Sequence, residues 1–500
     1  PSTFFPEVDE GMERVYVRFA PGTPLAEANK KLIDMGRMLK ERLPAGSVKL
    51  VLTNAGSPGK ARSAMNSPNA GPHMGFIRLA LSDAEEREQS QRELADQMRA
   101  LLVHQYPGVD FLQAPGGLVA SVFANGYLAP IVIELRGDDL NELMEGSRRI
   151  ANVARQVPGV RDIYTNLETE YPELRVETRR DEAGMVGVSA RDAAQTTLEA
   201  TLGNINTPGV WVDEGNGQSY YVVTFYDGAA VSDRAALSSL PVKPSPDAGA
   251  VALGTYAEIR RSFGPIAIER NHLGRVATVY CQTERRDVGS AAEELERRLQ
   301  SDPSTRDLPF SFVGQVDLMR STFSGLGVAI GLAIMVVFMI MASQFKSFRL
   351  PLVMLFAVPV SLIGIVLALM AAGQGFSVTA LMGALMVIGI AVSNGILLVD
   401  HANRKLEEGL DVVPAVLDAA RRRVIPIAMT SLSTIVGLLP TALGLEKAAA
   451  ANQPLALAVV GGLGSSTLLS LFLVPSMFTL LVRKRSAGSD VLGEPAEVLA

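Results

Sequence analysis

Cysteine is almost missing from this 500-residue chain. Cys281 stands alone, which excludes an internal disulfide and a cysteine-rich metal cluster. A strong excess of one charge is missing too; the formal net charge of -6 is mild and gives no basis for nucleic-acid binding. No nucleophile, paired acid or phosphate-binding loop occurs at usable spacing, so nothing here makes or breaks covalent bonds, and no cofactor or resident metal is expected. The most informative absence is local. Five long apolar segments, at about 322–342, 351–371, 375–399, 424–444 and 454–482, contain no Asp, Glu, Lys or Arg. Each such charge costs roughly 2.5–3.5 kcal/mol at the centre of a span, so the expectation is five membrane helices. The residues before 321 have interspersed charges and short apolar runs, and read as a folded region outside the lipid bilayer.

Basic residues orient the spans. Lys346 and Arg349 follow the first, Arg404, Lys405 and Arg421 to Arg423 separate the third from the fourth, and Arg483 to Arg485 follow the fifth. The opposite loops are nearly bare, with Lys447 alone. The positive-inside rule therefore places the C-terminus in the cytoplasm and residues 1–320 on the other side. A polar region that size needs a signal to cross, yet the chain starts at Pro1 with neither Met nor an apolar leader. The expectation is a missing preceding span and a chain that is a fragment of something longer.

Residues 1–118 alternate between strand and helix patterns. Val15, Val17 and Phe19 alternate as in a half-buried strand, whereas Leu25, Ala28, Leu32, Met35, Leu39 and Leu43 make one helical stripe. Strands at 48–54, 75–81 and 109–113 and a helix over 86–106 complete the order strand, helix, strand, strand, helix, strand, which is ferredoxin-like. The unit repeats in two pieces, 119–168 and 271–320, around an insertion at 169–270 with a Ser189-capped helix and a hairpin at Gly215 to Gln218. The fold class expected is therefore α+β, ferredoxin-like βαββαβ modules with an inserted module, followed by an all-α bundle of five helices over 321–485 and a tail at 486–500. Such a plan suggests a transporter with a cleft between the repeats, or a docking domain for another protein.

Several motifs carry a family likeness: FFPEVDEG at 4–11, ASQFKSFRLPLVMLFAVPVSLIG at 342–364, GALMVIGIAVSNGILLVDHANRKLEEG at 383–409 and RRRVIPIAMTSLSTIVGLLP at 421–440. With them the chain resembles the C-terminal half of a resistance-nodulation-division (RND) efflux pump inner-membrane subunit of the acriflavine-resistance type. The resemblance implies two porter modules, a docking insertion at 169–270 and the last five of twelve spans. It also implies a proton-driven trimer that works with a periplasmic adaptor protein and an outer-membrane channel to export small-molecule substrates.

The resemblance points to site residues. In the family a lysine on the third of these spans pairs with acids of the other half, and an arginine and a threonine on the next span support it. Ser393 stands where the lysine is expected, Asn394 retains the family asparagine, and Arg423 and Thr430 match the other two. Serine cannot neutralise a carboxylate, so a relay here runs through hydrogen bonds and water, or by another route. Small polar residues also serve as packing contacts between membrane helices, Thr430 can bond its own helix, Arg423 belongs to the positive-inside cluster, and His401 reads as interfacial. Outside the membrane, Gly56, Ser57, Pro58 and Gly59 resemble a switch loop beside a drug pocket, and Arg78 falls on the next strand where an aromatic is expected. That substitution argues against a broad aromatic trap. Met65 and Met74 flank the loop, but two thioethers fall short of a copper(I) or silver(I) site, and Trp211 reads as a packing or docking residue. Three alternatives stay open: a heavy-metal exporter of the same superfamily, a non-transporting paralogue with an interaction or regulatory role, and a protein-export motor, which would lack the insertion.

Overall fold

The computed structural model describes residues 2–5, 8–57, 69–205, 208–226, 231, 233–242, 249–445 and 451–481. They divide into two compact units, one of Glu10–Glu284 with Leu295–Phe312, the other of Pro1–Asp9, Arg285–Glu294 and Val313–Ala500.

In the first unit, strands β1 (Met12–Arg18), β2 (Val48–Ala55), β3 (Met74–Leu81) and β4 (Asp110–Pro115) form an antiparallel sheet in the order β2-β3-β1-β4. Helices α1 (Leu25–Arg42) and α2 (Gln91–Gln105) supply the rest of one core, in which Leu32, Met35, Leu39, Leu94, Met98 and Leu102 meet Val15, Val17, Ile77 and Leu79. The α1 stripe read from the sequence is the buried face, because side chains three and four apart share one side of a helix. Helix α2 starts five residues later than the 86–106 expected from the sequence. Ser90 and Glu93 form a reciprocal capping box there, with the Glu93 carboxylate accepting from the Ser90 N–H at 2.8 Å, and this fixes the first turn.

After a short helix α3 (Leu118–Phe123) come β5 (Ile131–Arg136), α4 (Leu140–Arg155) and β6 (Val160–Thr165). The Asp139 carboxylate accepts from the N–H groups of Asn141 and Glu142 and so starts α4. The chain then departs into β7 (Tyr171–Thr178), α5 (Arg180–Met185), α6 (Ala190–Leu202), β8 (Gly209–Val212), β9 (Ser219–Val222), α7 (Arg234–Ser238), β10 (Pro241–Val242), β11 (Val251–Ala252) and β12 (Ala257–Gly264). This region has its own core, with Val188, Ala193, Leu237, Leu240, Tyr256 and Ile259 buried together. Its β8–β9 hairpin is exposed on both faces, with Trp211 against Tyr220 at 5.7 Å between rings. Strands β13 (Glu269–Asn271) and β14 (Gly274–Thr283), helix α8 (Val288–Ser301) and β15 (Phe310–Val313) follow, and the second sheet runs β13-β14-β5-β15 with β6 also on β14. Cys281 sits fully buried on β14; burial pushes its thiol up to about 12, which keeps it protonated and unreactive.

The second unit holds α9 (Gln315–Phe345), α10 (Arg349–Leu355), α11 (Ala357–Ala371), α12 (Val378–Glu407), α13 (Val412–Ala442) and α14 (Gln453–Leu481). Among the described residues four helical stretches are long and apolar enough to cross a membrane: α9, α10 continued by α11, α12 and α13. The two parts of α14, Gln453–Leu469 and Leu471–Leu481, make a fifth only if they count as one span across a 49° bend. The expectation of five uncomplicated spans is thus met by four, with the last one bent.

Helix α14 packs through its small residues. A Cβ on Gly461 would lie 2.3 Å from Ala368 Cβ and 2.6 Å from the Gly364 carbonyl oxygen, and a Cβ on Gly364 would meet the Gly461 oxygen at 2.4 Å. Ser465 Oγ donates across the same contact to the Val360 carbonyl at 3.1 Å. Gly364 with Ala368 and Gly461 with Ser465 are both spaced by four, the small-residue pattern that lets two helix backbones touch. Replacing Gly461 by Leu should cost about 1–3 kcal/mol through overpacking, read as a lower melting temperature of the detergent-solubilised protein. Gly389, with nothing within 4 Å of an added Cβ, makes the opposite prediction: Gly389→Ala should raise the melting temperature, by the roughly 0.5–1 kcal/mol of helix propensity.

Candidate functional site

Within the first unit, a cleft of about 590 Å³ has four walls: the end of β1 and the turn after it (Arg18 to Pro21), the approach to β4 (Gly108 and Asp110), one face of α4, and the segment Thr165 to Glu170. The α4 wall follows from helix geometry, since Met144, Arg148, Ala151, Asn152 and Arg155 recur every three or four residues.

Arg18 anchors the back of the cleft. At the end of β1 its side chain is 17% exposed, and its Nε and Nη2 donate to Asp110 Oδ2 at 3.1 and 2.7 Å. Its Nη1 donates to the Thr165 carbonyl at 2.6 Å, and the guanidinium stacks 4.3 Å from the centre of the Tyr164 ring. Burial works against the Arg18 charge, but Tyr164 and Asp110 outweigh it and hold the pKa above the usual arginine value. Burial raises the Tyr164 phenol in turn. Further along the wall Arg148 and Glu170 form an exposed pair at 3.2 Å, and Arg155 Nη1 donates to Asn152 Oδ1 at 2.6 Å.

The cleft also carries a buried pair that sequence reasoning missed. His73, with no exposed surface, lies with Nε2 2.8 Å from Glu168 Oε2, and its ring packs on Tyr171 at 5.0 Å. His73 Nδ1 and Glu168 Oε1 have no hydrogen-bond partner among the described residues. The pair ties the segment entering β3 to the segment leaving β6. Its members are 95 positions apart, and no local pattern marks either one. Burial, with Glu168 adding to it, raises the Tyr171 phenol.

The described loop residues expected on a substrate path do not line this cleft. Gly56 is buried at φ +77°, a backbone conformation that favours glycine; a Cβ there would lie 2.7 Å from Leu25 Cδ1, the end of an exposed side chain that can move aside. Ser57 is exposed, and Pro58, Gly59 and Met65 lie outside the described residues. Arg78 is exposed on β3 over the Phe76 ring at 5.0 Å; burial, then the nearby Arg14, lowers its pKa. None of Gly56, Ser57 or Arg78 lines the cleft. Met74 is buried in the sheet.

On α12 the neighbours Ser393 and Asn394 point to different sides, because consecutive residues are rotated by about 100°. Asn394 is 7% exposed on the buried stripe with Ala391, Leu398 and Ala402, and its carboxamide makes no side-chain hydrogen bond among the described residues. Ser393 belongs to the uncovered stripe of Met382, Met386, Gly389 and Leu397. The two therefore do not mark one shared face. Thr430 Oγ1 donates back to the carbonyls of Ile427 and Pro426 at 3.0 and 3.3 Å, within its own helix. Arg423 is half-buried and pairs with no carboxylate among the described residues. Toward the end of α12, His401 Nε2 lies 3.5 Å from Asp418 Oδ2, and Arg422 Nε donates to Asp418 Oδ1 at 3.2 Å.

Comparison with known proteins places this arrangement. The chain is 26% identical over 500 residues to the cobalt-zinc-cadmium resistance protein CzcA of Cupriavidus metallidurans, covering 98% of this chain and 46% of that one. It is also 26% identical over 500 residues to the multidrug resistance protein MdtC of Klebsiella pneumoniae, covering 99% and 46%. A crystal structure titled as a heavy metal efflux pump superposes with a TM-score of 0.79 at 25% identity, over 96% of this chain and 48% of that one. The chain thus spans about half the length of the curated relatives it matches. The model of the AcrB/AcrD/AcrF family matches residues 1–482. The chain belongs to that family, whose homologues are RND-type pumps.

Proposed function

We propose that this chain is the C-terminal half of a proton-driven RND efflux subunit that exports small toxic or amphiphilic compounds towards an outer-membrane channel. The observation that carries the reading is the open cleft walled by the two sheet-and-helix regions, in a chain whose family members are pumps. In this reading residues 1–118 and the pieces 119–168 and 271–320 are ferredoxin-like porter modules, 169–270 is a docking module, and five spans over 321–485 cross an inner membrane. Residues 1–320 face the periplasm, the C-terminus faces the cytoplasm, and full-length subunits assemble as a trimer with a periplasmic adaptor. The exposed hairpin bearing Trp211 and Tyr220 suits the docking role. Export of heavy-metal cations has the same support from the relatives' names, which include both metal and multidrug resistance proteins.

Coupling to protons requires a titrating group within the membrane, and the interiors of these spans contain none. The uncovered α12 stripe offers the Ser393 hydroxyl to whatever packs on it, so a carboxylate from the other half would be met by a hydrogen bond and water rather than a cation. Asn394 acts from the buried side, where an unpaired carboxamide is costly unless a conformation or water satisfies it. Arg423 and Thr430 complete the relay candidates.

Three outcomes are expected. Full-length protein in a pump-deficient bacterium should raise resistance to at least one toxic compound and move a dye until the proton gradient is collapsed; no effect on either would refute transport. Ser393→Ala should lower transport less than Asn394→Leu does. Asn394→Leu should lower transport; a folded variant with full transport would reduce Asn394 to packing.

A further inference from the structure

We infer that the cleft in the first unit takes an organic anion, an apolar body with a carboxylate, sulfate or phosphate head, and that Arg155 sets this preference. The inference rests on the efflux reading and narrows its substrate class.

Three carboxylates line the cleft, and each already has an internal partner: Asp110 is held by two Arg18 donors, Glu168 by the buried His73, and Glu170 by Arg148. Of the three arginines on its walls, Arg155 alone pairs with no carboxylate among the described residues; it donates to the neutral Asn152 amide. Arg155 is exposed, so an incoming group meets it without displacing an ion pair. A cation at Asp110 or Glu168 would have to take the carboxylate from a largely or fully buried partner, Arg18 or His73, and leave that partner uncompensated, which is the costly way to break a pair; the exposed Arg148–Glu170 pair is the one it could open without that cost.

Position strengthens this charge argument. Arg148 and Arg155 lie on one face of α4, seven residues and about 10 Å apart along the axis. The Arg148–Glu170 pair is exposed on both sides, so it is weakly held and Arg148 can share its donors with a ligand. Guanidinium forks recognise planar oxyanions with paired, charge-assisted hydrogen bonds. Phe19, Ala20, Pro21, Met144, Ala151 and Leu167 supply apolar wall for the body of the molecule. The donor set for a metal ion is thin by contrast. Met144 is the lone thioether on the walls, and no three His, Cys, Asp or Glu side chains converge among the described residues.

Two molecules with the same tail and opposite heads, dodecanoate and dodecyltrimethylammonium, provide the test. Binding of each to purified full-length protein is measured by equilibrium dialysis, and each is used in growth-protection assays in a pump-deficient host, alongside zinc, cobalt and copper salts. Wild type should bind the anion more tightly. Arg155→Glu should weaken dodecanoate binding about tenfold, the scale of one charge-assisted hydrogen bond, and should strengthen binding of the cation. Arg155→Lys, which keeps the charge, should retain most of the anion preference. A parallel loss for both heads, no change for either, or wild-type preference for the cation or a metal salt would overturn the inference. Absence of growth protection against every compound would sink the efflux reading instead, and the dialysis result would still decide the head-group preference.

Discussion

One guanidinium ties together the parts that form the cleft. Arg18 leaves the end of β1, grips Asp110 at the start of β4, reaches the Thr165 carbonyl at the end of β6, and stacks on Tyr164. Strands of both sheets therefore converge on a single planar cation. Arginine suits the position because its fixed fork serves two acceptors while its face lies on an aromatic ring, and lysine could not reproduce that geometry. The His73–Glu168 pair adds a second tie between the same two regions. With the back of the cleft fixed by these contacts, the α4 face is left to present Arg148 and Arg155 to what enters.

The helical unit obeys a different constraint. Apolar burial separates helices poorly in lipid, so close packing must come from shape. Gly364 against Gly461 and Gly383 against Leu455 and Ala458 bring α14 within backbone contact of α11 and α12. What this packing leaves uncovered is informative. The stripe of Met382, Met386, Gly389, Ser393 and Leu397 has no cover from the described residues, whereas Asn394 is enclosed. The polar pair that stands out in the sequence is thus two features, one facing inward and one facing whatever else the helix meets.

Much of this was legible beforehand, and the failures have physical causes. The α1 stripe from Ala28 to Leu39 and the alternation of Val15 and Val17 were readable because burial imposes the period of each element. Strand β12 escaped notice because it pairs only with β7 and exposes much of both faces, so AEIRRSFG carries no alternation strong enough to mark it. The start of α2 was placed too early; the S-x-x-E box at Ser90 and Glu93 was the available signal. The cleft's working residues were the least visible. Arg18 reads as an ordinary charge on a strand, and nothing local links His73 to Glu168 or separates Arg155 from the many surface arginines. Gly56 sits at φ +77°, a backbone conformation that its position in a glycine-rich loop made readable.

The central claim is that the complete subunit exchanges protons for a cleft-bound compound. The most direct measurement places the purified full-length protein in sealed vesicles with a pH-sensitive dye inside and an imposed pH gradient, then adds substrate. The account predicts that substrate accelerates collapse of the gradient and that the acceleration disappears when Asn394 is replaced by Leu. A gradient that decays at the same rate with and without every substrate offered, in vesicles shown to contain folded protein, would contradict it.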